Sequence, residues 1–235
     1  MTLKKRAAKG VAWTLAERLF GWGIMFLVLI VLARLLTPAD FGVVALAGMF
    51  VYLPQFLLYE GFASAVIQKN DLRDDYLDTA FWIILGVSTT IATGLLALAP
   101  LMAIAFNEPK LASVIMWLSP VVAINGMMIC HDSLFRRALD FKPLAIRTIL
   151  SSLAGGLTGI AMAYAGMGIY SLVGQQLVTA TVMALVLWQS SRWRPRFNCH
   201  AGMLASCFGS VPACSPLVSY ASLPMESAFR FLPTT

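Results

Sequence analysis

Thr79–Asn107, TAFWIILGVSTTIATGLLALAPLMAIAFN, runs for 29 residues without an Asp, Glu, Lys or Arg. As a helix it is long enough to cross the ~30 Å hydrocarbon core of a bilayer, which needs about 20 residues. The same absence of charge recurs in Leu19–Ala33, Phe41–Tyr59, Leu111–His131 and Thr148–Ser191. A soluble domain scatters charge over every surface-facing element. This chain confines charge to the joints between apolar runs, which is the pattern of an all-α, polytopic membrane protein whose backbone polar groups are satisfied within each helix.

Six spans fit, at about 11–36, 41–67, 79–106, 111–131, 146–166 and 168–190. Thr148–Ser191 would make a single helix of ~66 Å, twice the bilayer, so Gly166-Met167-Gly168 is read as a tight turn between two helices. Thr37-Pro38-Ala39-Asp40 opens the second helix, with Thr37 as cap, Pro38 in the first helical position and Asp40 closing a capping box. Asn107-Glu108-Pro109 punctuates the chain before the fourth helix. The basic start MTLKKRAAKG leads into an apolar stretch too long for a signal sequence and carrying Glu17 and Arg18, so it is read as a retained first span.

Composition agrees: 59% hydrophobic residues, 12% charged, and a mean hydropathy of +0.79. The net charge of +6 does not call for nucleic acid, because its distribution is a topology signal. One side of the six-span unit receives Lys4, Lys5, Arg6, Lys9, Lys69, Arg73, Arg136, Arg137, Lys142, Arg147, Arg192, Arg194 and Arg196. The other side receives Arg34 and Lys110. By the positive-inside rule both ends of the unit, the N-terminus included, lie in the cytoplasm.

The interior of the spans holds few candidates for chemistry. Only 15 residues, ~22 Å of helix, separate Arg18 from Arg34, so Glu17 and Arg18 are expected within the hydrocarbon depth. Glu60, about two turns before the cytoplasmic end of the second helix, falls at similar depth on what is expected to be a neighbouring helix. Intramembrane charges face a bundle interior or a wet cavity and pair. These three residues fit an anion-binding or ion-coupling cluster, and equally a structural Arg18–Glu60 clamp or simple snorkelling. Gln175, Gln176, Thr179 and Thr181 in the last span fit a path for sugar hydroxyls, or hydrogen bonds between helices. Ser151, Gly155, Gly159 and Ala163 form a stripe of small residues for close helix packing. Pro54, Pro100 and Pro120 each fall inside a helix, and the six tryptophans fall mostly toward span ends, as interfacial anchors do.

No catalytic constellation is present: no P-loop, no G-x-S-x-G, no H-E-x-x-H, and His131 and His200 lie far apart. Cys130, Cys199, Cys207 and Cys214 have neither C-x-x-C spacing nor a histidine at ligand distance, so no metal site is expected. Asp71, Asp74 and Asp75 share a short loop with Lys69 and Arg73, which reads as a solvated charged turn rather than a cation site.

Lys9-Gly10-Val11-Ala12-Trp13, then Ala33-Arg34-Leu35-Leu36-Thr37-Pro38-Ala39-Asp40-Phe41-Gly42, then Gly61-Phe62-Ala63-Ser64-Ala65, resemble the polysaccharide-export branch of the multidrug/oligosaccharidyl-lipid/polysaccharide exporter superfamily, which includes Wzx-type flippases. The resemblance covers about residues 3–197. It implies a bacterial inner-membrane protein that moves undecaprenyl-diphosphate-linked oligosaccharide between leaflets by alternating access, without a catalytic cofactor and often coupled to a proton or sodium gradient. On this analogy Arg18 and Arg34 meet the diphosphate, Gln175 and Gln176 meet the sugars, and Glu17 and Glu60 act as pairing or coupling groups.

Such exporters carry twelve or more spans in two lobes, whereas this chain offers one six-helix lobe, residues 1–197. The tail 198–235 holds three cysteines, four prolines and six serines and no clean apolar run. It is read as an out-of-frame or truncated end, with a genuine cytoplasmic tail as the alternative. A lone lobe would need a partner lobe or a second copy in a parallel homodimer. Competing functions are a drug/cation antiporter of the same superfamily, and a non-transporting scaffold or inactive fragment.

Overall fold

A computed structural model describes residues 3–68, 74–138, 141–191 and 193–195. It contains six helices: α1 (Leu3–Leu35), α2 (Pro38–Gln68), α3 (Asp74–Ala105), α4 (Pro109–Arg137), α5 (Lys142–Tyr164) and α6 (Ile169–Ser190). All six are long and apolar enough to cross a membrane. The chain is a multi-pass membrane protein. The expected joints fall within a few residues of the observed ones; the largest differences are at the polar helix ends, where α1, α3, α4 and α5 begin or finish beyond the apolar run.

The turns at one end, called here the turn end, follow their local sequence. Thr37 and Asp40 form the reciprocal box: the Thr37 hydroxyl donates to Asp40 Oδ2 at 2.7 Å, and the Asp40 amide donates to Thr37 Oγ1 at 3.4 Å. Asn107 takes φ +58°, a left-handed conformation that asparagine tolerates, and Pro109 starts α4 where no amide donor is needed. Gly166 and Gly168, at φ +77° and +55°, reverse the chain between α5 and α6.

The opposite end, called here the basic end, gathers Arg136, Arg137, Lys142, Arg147 and Arg194. Between the ends, α4 is the central helix: 56% of its most apolar window is buried, against 18% for α1. It packs on α2, α3 and α6, with Leu111, Val114, Ile115 and Leu118 fully enclosed. Its serines do not disturb this core, because Ser119 and Ser133 donate to the carbonyls of Ile115 and Ile129, both at 2.7 Å.

The lobe divides into two groups of helices. One is α2, α3 and α4; the other is α1, α5 and α6. They meet mainly where α4 packs on α6, while α4 and α5, consecutive in the chain, hardly touch among the described residues. Within the second group, the stripe of small residues on α5 is the packing seam. A Cβ at Gly155 would collide with Thr179 Oγ1 and lie 2.8 Å from the Gln175 carbonyl, so α6 fits there only against glycine. Gly156, on the next face, receives Val28 of α1.

Two expectations need correction. Among the described residues, helix α1 leans on α5 rather than on α2, so Glu17 and Arg18 lie on a helix that packs against a different neighbour from the one expected. The tryptophans also split in role. Trp22 and Trp117 are exposed as anchors would be, but Trp188, tilted, and Trp193, edge-on, pack around the buried His131, both with centroids 5.3 Å away, and Phe81 closes the cluster. Aromatic rings at a span end can satisfy one another as well as the membrane interface.

Candidate functional site: an uncharged cavity beside a charged node

A cavity of about 630 Å³ lies between α1 and α2, backed by α4, α5 and α6. Its walls are mostly apolar, with Val28, Leu32, Val44 and Leu172 among them. Met25 and Met49, 68% and 70% exposed, mark its open side between α1 and α2. Set into these walls are Tyr52, Gln55, Asn125, Ser152, Gln175, Gln176 and Thr179. Among the described residues the lining contains no Asp, Glu, Lys or Arg. Gln55 Oε1 and Gln176 Oε1 are buried and accept no hydrogen bond from the protein. A buried carbonyl without a donor carries a desolvation cost that a hydroxyl-bearing ligand or water would relieve.

Of the residues singled out from the sequence, Gln175 and Gln176 therefore line the cavity. Arg34 is exposed in the last turn of α1, at the turn end. Arg18 is exposed on α1, outside the lining. Glu17 is half-buried and accepts a hydrogen bond from Thr148 Oγ1 of α5 at 3.0 Å. Glu60 is exposed near the basic end of α2. The loop of Lys69, Asp71 and Arg73, and the tail 198–235, lie outside the described residues.

One to two turns from the cavity, at the basic end, lies a charged node that the sequence reading missed. Asp132 of α4 is 2% exposed. Its Oδ2 accepts from Tyr59 of α2 and from Arg136 Nε, both at 2.6 Å. Its Oδ1 lies 2.6 Å from Arg147 Nη2 of α5, an ion pair rather than a well-angled hydrogen bond. Arg147 is itself buried, and its Nε has no hydrogen-bond partner. Glu17 attracts Arg136 through space, so two carboxylates face two guanidinium groups and the node is close to neutral. Mutual neutralisation is what allows such charges at membrane depth. An Asp four residues before an Arg at the basic end of α4 was the available signal; the pairing with α2 and α5 needed the fold.

Comparison with known proteins places the chain in a family. Residues 31–222 match the model of a family described as polysaccharide biosynthesis protein. The chain belongs to that family. It is 28% identical over 194 residues to the succinoglycan biosynthesis transport protein ExoT of Rhizobium meliloti, covering 82% of this chain and 39% of ExoT. It is 24% identical over 159 residues to the lipopolysaccharide biosynthesis protein WzxC of Escherichia coli, covering 66% of this chain and 32% of WzxC. A membrane protein from the cps region of Klebsiella pneumoniae is 30% identical over 99 residues, 41% of this chain and 20% of that protein. The chain thus spans about two fifths or less of the length of these relatives. No solved structure matches it.

Proposed function

We propose that this chain is a transmembrane lobe of an exporter that carries undecaprenyl-diphosphate-linked oligosaccharide across the bacterial inner membrane for surface polysaccharide synthesis. The observation that carries the reading is the cavity. Inside a membrane lobe of the polysaccharide biosynthesis family, amide and hydroxyl side chains project from an apolar wall, with two glutamine carbonyls left without donors. Sugars present hydroxyl donors and apolar ring faces, and such a lining suits both. The transport role named for ExoT supports the same reading.

In this reading the basic end is cytoplasmic by its excess of Lys and Arg, and the N-terminus lies on that side. The open side between α1 and α2 faces a second lobe, supplied by another polypeptide segment or a second copy, and the two lobes alternate access to the cavity. The lipid tail stays in the bilayer. Arg18, exposed on α1, is assigned here to a diphosphate outside the cavity proper. The chain acts as a carrier rather than an enzyme, and any proton or sodium coupling is assigned to Glu17 or Glu60. A drug/cation antiporter fits less well, since a cavity for cationic drugs needs a carboxylate and among the described residues the lining has none.

The test is translocation of undecaprenyl-diphosphate-linked oligosaccharide in proteoliposomes, with the chain alone and with a second six-helix lobe of the family supplied. Leaflet transfer in either arm supports the reading. Absence of transfer in both, with the protein correctly inserted, overturns it in favour of a scaffold.

A further inference from the structure

The charged node stands directly on the basic side of the cavity. Gln55 at the cavity edge and Tyr59 in the node are one helical turn apart on α2, about 6 Å along the axis. Ser152 in the lining and Arg147 in the node are five residues apart on α5, about 7.5 Å along the axis. Asn125 and Asp132 are two turns apart on α4. The node therefore lies one to two turns toward the basic surface from the level of the cavity, on three of the helices that line it.

It also joins the two groups of helices. Asp132 and Tyr59 belong to α4 and α2, in the first group, and Arg147 belongs to α5, in the second. α4 and α5 touch little, and among the described residues the Asp132–Arg147 ion pair ties them beside one buried apolar cluster, in which Met128 and Phe135 of α4 pack with Leu144 of α5 and Leu187 of α6. Glu17, bonded to Thr148 next to Arg147, fastens α1 to the same corner.

We infer that Asp132 and Arg147 are positioning residues that hold the two helix groups together and close the cavity toward the basic side. Opening that side requires α4 to move away from α5 and to shift on α6, and that movement means breaking this pair. The pair then sets how often the cavity is reached from that side, whatever the cavity carries. The inference takes from the proposed function only that the cavity is a site worth reaching, and its test needs no transported substrate.

The test is labelling of Ser152→Cys by a membrane-impermeant maleimide in vesicles of known orientation, in a background with Cys130→Ala, Cys199→Ser, Cys207→Ser and Cys214→Ser. With the node intact, labelling from the basic side is slow. In Asp132→Asn/Arg147→Gln, which removes both charges while keeping side-chain size, labelling from that side rises about tenfold or more, as loss of a charge-assisted contact would shift an opening equilibrium. Labelling from the turn side stays the same. Tyr59→Phe, which deletes a single oxygen from the node and leaves the ion pair in place, gives a smaller rise in the same direction and serves if the double variant is not recovered from the membrane. An unchanged rate from the basic side in the variant recovered, or an equal rise from both sides, overturns the inference. Loss of translocation with unchanged labelling would count against the node and leave the cavity reading intact.

Discussion

The cavity and the node are both polar regions at membrane depth, yet they are built in opposite ways. The node spends its polarity internally: every contact of Asp132 is to another protein group, on three helices. The cavity leaves polarity unspent, since Gln55 and Gln176 line it and their amide oxygens, buried in its wall, have no hydrogen-bond donor. Charges in low dielectric cost too much to stand alone, whereas an unpaired amide costs a kcal/mol or a few. The lobe therefore sets each buried charge of the node against an opposite one, even where Arg147 Nε lacks a hydrogen bond, and leaves side chains without any ionic partner only where they are uncharged. The difference assigns binding to the cavity and mechanical integrity to the node.

The hardest test of that division is Asp132→Ala. It strands Arg147 in a buried position and removes the acceptor of Tyr59, and a loss of about 3–5 kcal/mol is expected. Thermal unfolding of the purified protein in detergent should show a large drop in midpoint or no folded material; an unchanged midpoint would break the comparison at once. Next is Gly155→Ala, at the seam behind the cavity. Its methyl meets Thr179 and the Gln175 carbonyl, so α6 must shift, at about 1–3 kcal/mol. Both stability and the labelling of cavity cysteines should change together.

Gln176→Leu should separate the regions most cleanly. It removes a buried acceptor that the protein does not satisfy together with one side-chain hydrogen bond to Tyr52, so stability is expected to fall by no more than about 1 kcal/mol. Translocation should fall roughly tenfold, the value of one lost hydrogen bond to a sugar hydroxyl. A drop in stability without a drop in transport would reverse the roles assigned to the two regions. Arg18→Ala is the mildest: an exposed side chain outside both regions should shift stability by no more than about 0.5 kcal/mol. Transport decides its role. A fall with stability unchanged sustains a diphosphate contact, and normal transport removes that assignment.

The sequence disclosed what is local. Charge-free runs located all six helices, and Thr37 with Asp40, Asn107 with Pro109, and Gly166 with Gly168 marked the three turns because each reports a backbone need satisfied within a few residues. The small stripe on α5 was legible as a seam for the same reason. Helix partnership was not legible. An apolar helix presents suitable surface all round in lipid, so nothing in α1 says that α5, rather than its neighbour in sequence, will receive it. The node was hidden by the same gap, since Tyr59 and Asp132 lie 73 residues apart. In the sequence Arg136 and Arg147 carry only an orientation signal, because the carboxylate that pairs with both is on a helix whose packing the sequence does not reveal.

The pairing of α1 with α5 bears on how the lobe is made. Glu17 and Thr148 are 131 residues apart. At a synthesis rate of about 5–20 residues per second, the first helix enters the membrane roughly ten seconds before its partner exists. For that interval α1 must live in lipid on its own, carrying Glu17 without the hydroxyl that later receives it. Its uninterrupted apolar half, Leu19–Ala33, makes the wait tolerable. The first helix is therefore collected late in translation, when the fifth arrives.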